Sequence, residues 1–201
     1  MNVNDNIIGN YDLLGEKKAV DLSKYDFSFS LKNKISRVIW FYGYWLLFRP
    51  FNLPVFNKWR NFILRSFGAK LERNTVVYAS AKIWAPWNLE MGDYSVIGPK
   101  VDCYNQGYIS IGSNTIVSQK TYLCASSHDF TISNFPLILK PIKIHDQVWI
   151  AADAFIGPGV EVGQGAVIGA KGAVFKNVKE WSVFGGNPAK FIKERKIQVV
   201  V

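Results

Sequence analysis

From Ile144 onward every sixth residue is aliphatic: Ile144, Ile150, Ile156, Val162, Ile168 and Val174. The frame runs backwards through Ile111, Val117 and Leu123, through Met91, Ile97, Cys103 and Ile109, and through Leu71, Val77 and Ile83. Two-residue slips at Leu89/Met91 and Ile109/Ile111 separate these blocks. The next slot is mostly small, as at Gly92, Gly98, Gly112, Ala151, Gly157, Gly163 and Gly169. A period of six fits neither the 3.6-residue helix nor the two-residue strand. It fits short strands joined by tight corners, three to a coil, with the aliphatic slot facing inward and the coils stacked into a solenoid. A β-sandwich would need longer alternating strands and irregular turns. The glycines of "GVEVGQGAVIGAKG" follow the six-residue clock and open no helix, which argues against a nucleotide-binding loop.

Outside the repeat the pattern changes. Residues 1–30 read as a polar extension; the first eighteen are polar and acidic, so no secretory leader is expected. Residues 31–70 read as two helices, one over "KISRVIWFYGYWLLF" (34–48) and one over "FNKWRNFILRSFG" (56–68). The uncharged run from Val38 to Phe48 is too short to span a bilayer. A helix that is apolar all round is either buried, here as a cap on the first coil, or in lipid. The solenoid is expected over 71–179, interrupted at 126–143, and 180–201 reads as a turn followed by a short helix carrying Lys190, Lys193 and Arg195.

Charge sharpens one part of this picture. Residues 31–73 hold nine Lys and Arg against Glu72 alone, which is +8 of the chain's +9. The rest is nearly balanced, so any anionic partner concerns that segment. An inner-leaflet surface fits it; no nucleic-acid recognition motif accompanies it, and nucleic acid is not expected. Cys103 and Cys124 are too few for a disulfide scaffold and lack metal-ligand spacing, which suggests buried thiols in a reducing cytoplasm.

Between Leu123 and Ile144 the six-residue frame is lost over "CASSHDFTISNFPLILKPIK". An insertion of that size must leave the stack as a loop, and loops on rigid scaffolds tend to carry sites. His128 stands at its root. An imidazole can take a proton from an alcohol and return it to a leaving group. It works best with its other nitrogen held by an acceptor, for which Asp129, Asp102 or a backbone carbonyl would serve. No nucleophile elbow accompanies it. His145 reads as structural. Two histidines are too few for a three-histidine zinc site, and no metal is expected.

Together "VDCYNQGYISIG", "YLCASSHDF", "WIAADAFIGPGVEVGQGAVIGA" and "GGNPAKFIKER" resemble the hexapeptide-repeat acyltransferases, most closely the colanic-acid-type exopolysaccharide O-acetyltransferases, with maltose/galactoside acetyltransferases as wider relatives. The likeness runs from about residue 31 to 195. It implies an all-β fold, a left-handed parallel β-helix, forming a cytoplasmic homotrimer that uses acetyl-CoA as donor and a sugar or glycan as acceptor. It assigns His128 as general base and places Asn105 near the acceptor. It sets Trp149, Ala152 and Ala170 along the pantetheine arm, Phe175 and Lys176 towards adenosine, and Lys190 and Lys193 by the phosphates of CoA. Relatives often carry Thr where Phe175 stands. N-acetylation of an amino-sugar nucleotide and a non-catalytic membrane-associated scaffold are the alternatives.

Overall fold

The computed structural model describes residues 20–25 and 29–198; the stretch in which no leader is expected lies outside them. The described residues divide into two compact units: 29–127 with 139–198, and 20–25 with 128–138.

The larger unit is the solenoid. Its first coil consists of β1 (Lys70–Leu71), β2 (Val76–Val77) and β3 (Lys82–Ile83). The second has β4 (Leu89–Met91), β5 (Val96–Ile97) and β6 (Asp102–Tyr104), and the third β7 (Ile109–Ile111), β8 (Ile116–Val117) and β9 (Tyr122–Cys124). After the interruption, with β10 (Ser126–His128) and β11 (Leu137–Leu139), come β12 (Ile142–Ile144), β13 (Trp149–Ile150) and β14 (Phe155–Ile156). A fifth coil holds β15 (Glu161–Val162), β16 (Val167–Ile168) and β17 (Ala173–Val174), and a partial sixth ends in β18 (Ser182–Gly185).

Coil-to-coil pairing is parallel, and the aliphatic frame becomes three columns. Leu71, Met91, Ile111, Ile144 and Val162 are in register on one sheet. Val77, Ile97, Val117, Ile150 and Ile168 align on the second, and Ile83, Cys103, Leu123, Ile156 and Val174 on the third. All but Leu71 are buried. The slips at Leu89/Met91 and Ile109/Ile111 are the two inward-facing ends of the three-residue strands β4 and β7.

The corners explain the small residues. A Cβ on Gly112 would lie 2.3 Å from Asp146 Oδ1 and 2.5 Å from Asp146 N, because the next coil passes directly over it. Buried hydroxyls close other corners: Thr115 donates to the His145 carbonyl (2.8 Å) and Thr121 to that of Ala151 (3.2 Å). Each gives a partner to a backbone carbonyl of the next coil.

The first coil is capped by the helical segment. Ser30 accepts from the Asn33 N–H and starts α1 (Leu31–Gly43). A π-turn (Tyr44–Phe48) and a 3₁₀ turn (Pro54–Phe56) lead to α2 (Asn57–Ser66). Burial is one-sided rather than all round: Trp40, Gly43 and Phe48 are covered, whereas Val38, Phe41 and Trp45 are more than half exposed.

The C-terminal segment corrects the expected short helix. Residues 190–194 form β19 (Lys190–Glu194), antiparallel to β18. The last coil leaves an open strand edge whose backbone groups need partners, and Phe191 reaches across to Phe184 with ring centroids 5.9 Å apart. Edge pairing outweighs local helix propensity here. The cysteines divide: Cys103 is fully buried, its thiol pushed well up by desolvation, while Cys124 is only half-buried and donates to the Ser126 carbonyl (3.3 Å).

Candidate active site

His128 ends β10 and its imidazole is exposed. Nδ1 lies 2.7 Å from the Phe135 carbonyl oxygen. A carbonyl can only accept, so Nδ1 carries a proton, and in the neutral ring the lone pair is then on Nε2. Phe135 holds this carbonyl from a left-handed conformation, φ 47°, which an L-residue adopts at some cost. The turn behind it is closed by Phe135 N–H to the Ile132 carbonyl (3.0 Å) and by Asp129 N–H to the Pro136 carbonyl (3.0 Å). Asp129 Oδ1 accepts from the backbone N–H and the hydroxyl of Thr131 (2.9 and 2.5 Å), while the Nδ1 contact goes to the carbonyl.

The N-terminal segment lies on the same turn. Asp21 N–H donates to the Ser133 carbonyl (2.9 Å) and Asn134 Nδ2 to the Lys24 carbonyl (3.1 Å). Tyr25 meets the imidazole with ring centroids 5.9 Å apart.

Within the solenoid unit, Asn105 is fully buried. It accepts from Ala85 N–H (3.0 Å) and donates to the Ala85 carbonyl (2.6 Å), so both ends of its amide clamp one coil to the next. Asp102 pairs with Lys82 at 3.8 Å, and burial raises its carboxyl above the usual range despite that lysine. His145 binds Glu161 Oε1 at 2.6 Å across neighbouring coils. Among the described residues no three His, Cys, Asp or Glu side chains gather as a metal site.

Six of the seven residues expected along the donor fall into two groups. Trp149, half exposed, donates Nε1–H to Ser118 Oγ (3.1 Å). Ala152 and Ala170 occupy successive corners, where the Lys171 N–H donates to the Ala152 carbonyl (2.9 Å). Phe175, Lys176 and Lys190 surround one hollow of about 370 Å³, with Pro188 and Ala189 on its other wall. Lys193 stands outside it, in the β18–β19 ladder opposite Val183.

No family model matches the chain. A putative colanic acid biosynthesis acetyltransferase, WcaF of Escherichia coli K12, is 45% identical over 141 residues, 70% of this chain and 78% of that one. The chain belongs to the hexapeptide-repeat acetyltransferases. Among solved structures, a maltose O-acetyltransferase from Clostridium difficile 630 superposes with TM-score 0.70 at 25% identity, covering 84% of this chain and 90% of that one. A hexapeptide-repeat acetyltransferase from Vibrio cholerae, complexed with acetyl-CoA, gives 0.73 at 23% identity over 86% and 94%.

Two features of this acetyltransferase escape the sequence reading. One is the Phe135 carbonyl, whose only signal is an aromatic residue before a proline in the loop that returns past His128. The other is an aromatic ladder up the third sheet: Trp84, Tyr104, Tyr122, Phe155 and Phe175, each ring 5.5–6.2 Å from the next. Its signal was present, since each ring sits one position from an inward column residue. Tyr122 loses hydration in the ladder, and desolvation raises its phenol.

Proposed function

We propose that this acetyltransferase moves the acetyl group of acetyl-CoA to a hydroxyl of a sugar destined for surface polysaccharide, with His128 as general base. The observation that carries the reading is the Nδ1 contact to the Phe135 carbonyl (2.7 Å), which leaves Nε2 as the free base. Nε2 takes the hydroxyl proton as the sugar oxygen bonds to the thioester carbon. The C–S bond then breaks, and the imidazolium returns the proton to the departing thiolate. No acyl-enzyme is required. Asp129 supports the turn that presents His128 through its bonds to Thr131.

On the donor side, exposed corner backbone beside Trp149, Ala152 and Ala170 suits the amides of a pantetheine arm. The hollow between Phe175, Lys176 and Lys190 suits an adenine ring and phosphates. The reading includes a cytoplasmic homotrimer, in which a neighbouring subunit completes the donor groove, and peripheral inner-membrane contact through residues 31–70. Among the described residues no helix is long and apolar enough to cross a membrane.

A thiol-release assay with acetyl-CoA and a panel of sugars tests the chemistry. Release that depends on a hydroxylated sugar and falls in His128→Asn supports it. Acetyl transfer confined to amino groups would make the enzyme an N-acetyltransferase.

A further inference from the structure

A cavity lies between α1 and the first two coils, away from the donor hollow. It measures about 980 Å³, within the range of small-molecule sites. Lys34 and Arg37 enter it from one face of α1, Arg49 from beyond the π-turn, and Lys82 and Lys100 from the coils. Asp102 is the one carboxylate among these lining residues, and Lys82 already pairs with it at 3.8 Å. The Arg37 guanidinium carbon rests 4.0 Å from the Trp84 ring centroid, which holds its charge at the cavity wall.

We propose that this cavity binds the phosphate headgroup of a membrane lipid, with the apolar part of the lipid running along the uncovered face of α1. Clustered ammonium and guanidinium groups left without carboxylates match a phosphate, which offers several acceptor oxygens to them at once. A soluble phosphate would leave the rest unexplained. Val38, Phe41, Tyr42 and Trp45 line the same cavity and are 53–60% exposed, and Ile35 and Leu46 extend the apolar surface along the helix. A charged pocket opening onto an apolar aromatic helix face is the arrangement of an interfacial anchor. A second copy of the chain is a poorer occupant, because outside residues 31–73 its charges nearly cancel and it brings no acidic excess to meet the cations. The inference rests on the membrane part of the functional reading and is independent of acetyl transfer.

Co-sedimentation of the full chain with phosphatidylcholine vesicles, with and without phosphatidic acid, tests it. Arg37→Glu/Lys100→Glu is compared with Lys120→Glu/Lys196→Glu, which changes net charge equally on surfaces outside the cavity. Wild type and control are expected to bind the phosphatidic acid vesicles, and the cavity variant to lose about tenfold or more. Millimolar inorganic diphosphate or uridine diphosphate is expected to leave binding intact. Equal binding by both variants would overturn the proposal, as would failure of wild type to bind. Displacement by either soluble phosphate would reassign the cavity to a soluble ligand, and loss of the oligomer in the cavity variant alone would reassign it to a second copy. If the double variant melts well below wild type, Lys34→Ala and Lys100→Ala replace it. Thiol release with a soluble acceptor, run on the same samples, separates failure of this inference from failure of the acetyltransferase reading.

Discussion

In the proposed mechanism His128 needs its proton on one nitrogen, and a backbone oxygen presented from a left-handed residue accepts that proton's hydrogen bond. Two predictions follow from that geometry. Replacing His128 by Ala is expected to lower kcat by about 10²–10⁴-fold with little change in the KM for acetyl-CoA, measured by thiol release. Phe135→Gly keeps φ 47° accessible and should retain activity, whereas the β-branched Phe135→Val resists that conformation by about 1–2 kcal/mol. The valine variant should lose kcat with the KM for acetyl-CoA little changed, while the glycine variant should not. Equal activity in both would remove the carbonyl from the mechanism. The histidine at the root of the loop was readable from the broken repeat. Its partner was not, because a carbonyl acceptor depends on how eight residues of loop turn back and carries no side-chain signature. The same limit applies to Asn105: its residue type suits a sugar, but only coordinates show its amide bound to Ala85.

At the scale of elements, α2 completes the solenoid's open end with side chains rather than with another strand. Arg60 is buried and donates to the carbonyls of Val77 (2.8 Å), Phe51 (2.6 Å) and Leu53 (3.0 Å), and burial depresses the pKa of its guanidinium. Asn61 donates to the Thr75 carbonyl (2.8 Å). Arg60→Leu strands those carbonyls and is expected to cost about 3 kcal/mol, which lowers the melting temperature by roughly 10 °C in calorimetry. The corners give a paired test. Gly112→Ala should destabilise by about 3 kcal/mol, since its Cβ would meet the backbone of the next coil, whereas at Gly169 the nearest atom is 3.4 Å away and alanine should fall within about 0.5 kcal/mol of wild type. The two helices were legible from their apolar runs and basic residues. The C-terminal strand was not: "AKFIKER" suits a helix locally, and its pairing follows from the free edge of β18, which exists only once the sixth coil has formed.

Across the whole molecule, the period-six pattern carried over directly because each coil repeats one local solution, a short strand and a tight corner, and register follows from keeping the aliphatic column inside. Ties between coils add to that stack. Glu161 takes hydrogen bonds from His145 and Lys143 on the preceding coil, and these hold its carboxyl below the ordinary value of 4.5. A carboxyl depressed on folding stabilises the native state above its unfolded value, and that contribution disappears as pH falls through the folded one. Urea unfolding between pH 5 and about 3 should therefore show a shallower acid-side loss in Glu161→Gln than in wild type.

The central claim is that one imidazole, fixed by a backbone carbonyl, removes the acceptor's proton while the thioester is attacked. The most direct measurement is single-turnover acetyl transfer from acetyl-CoA to a sugar acceptor by wild type and His128→Asn, following free thiol and acetylated sugar together. The account predicts equal amounts of thiol and O-acetyl sugar from wild type, and a rate lower by about 10²-fold or more in the variant. Transfer by His128→Asn at the wild-type rate would contradict it.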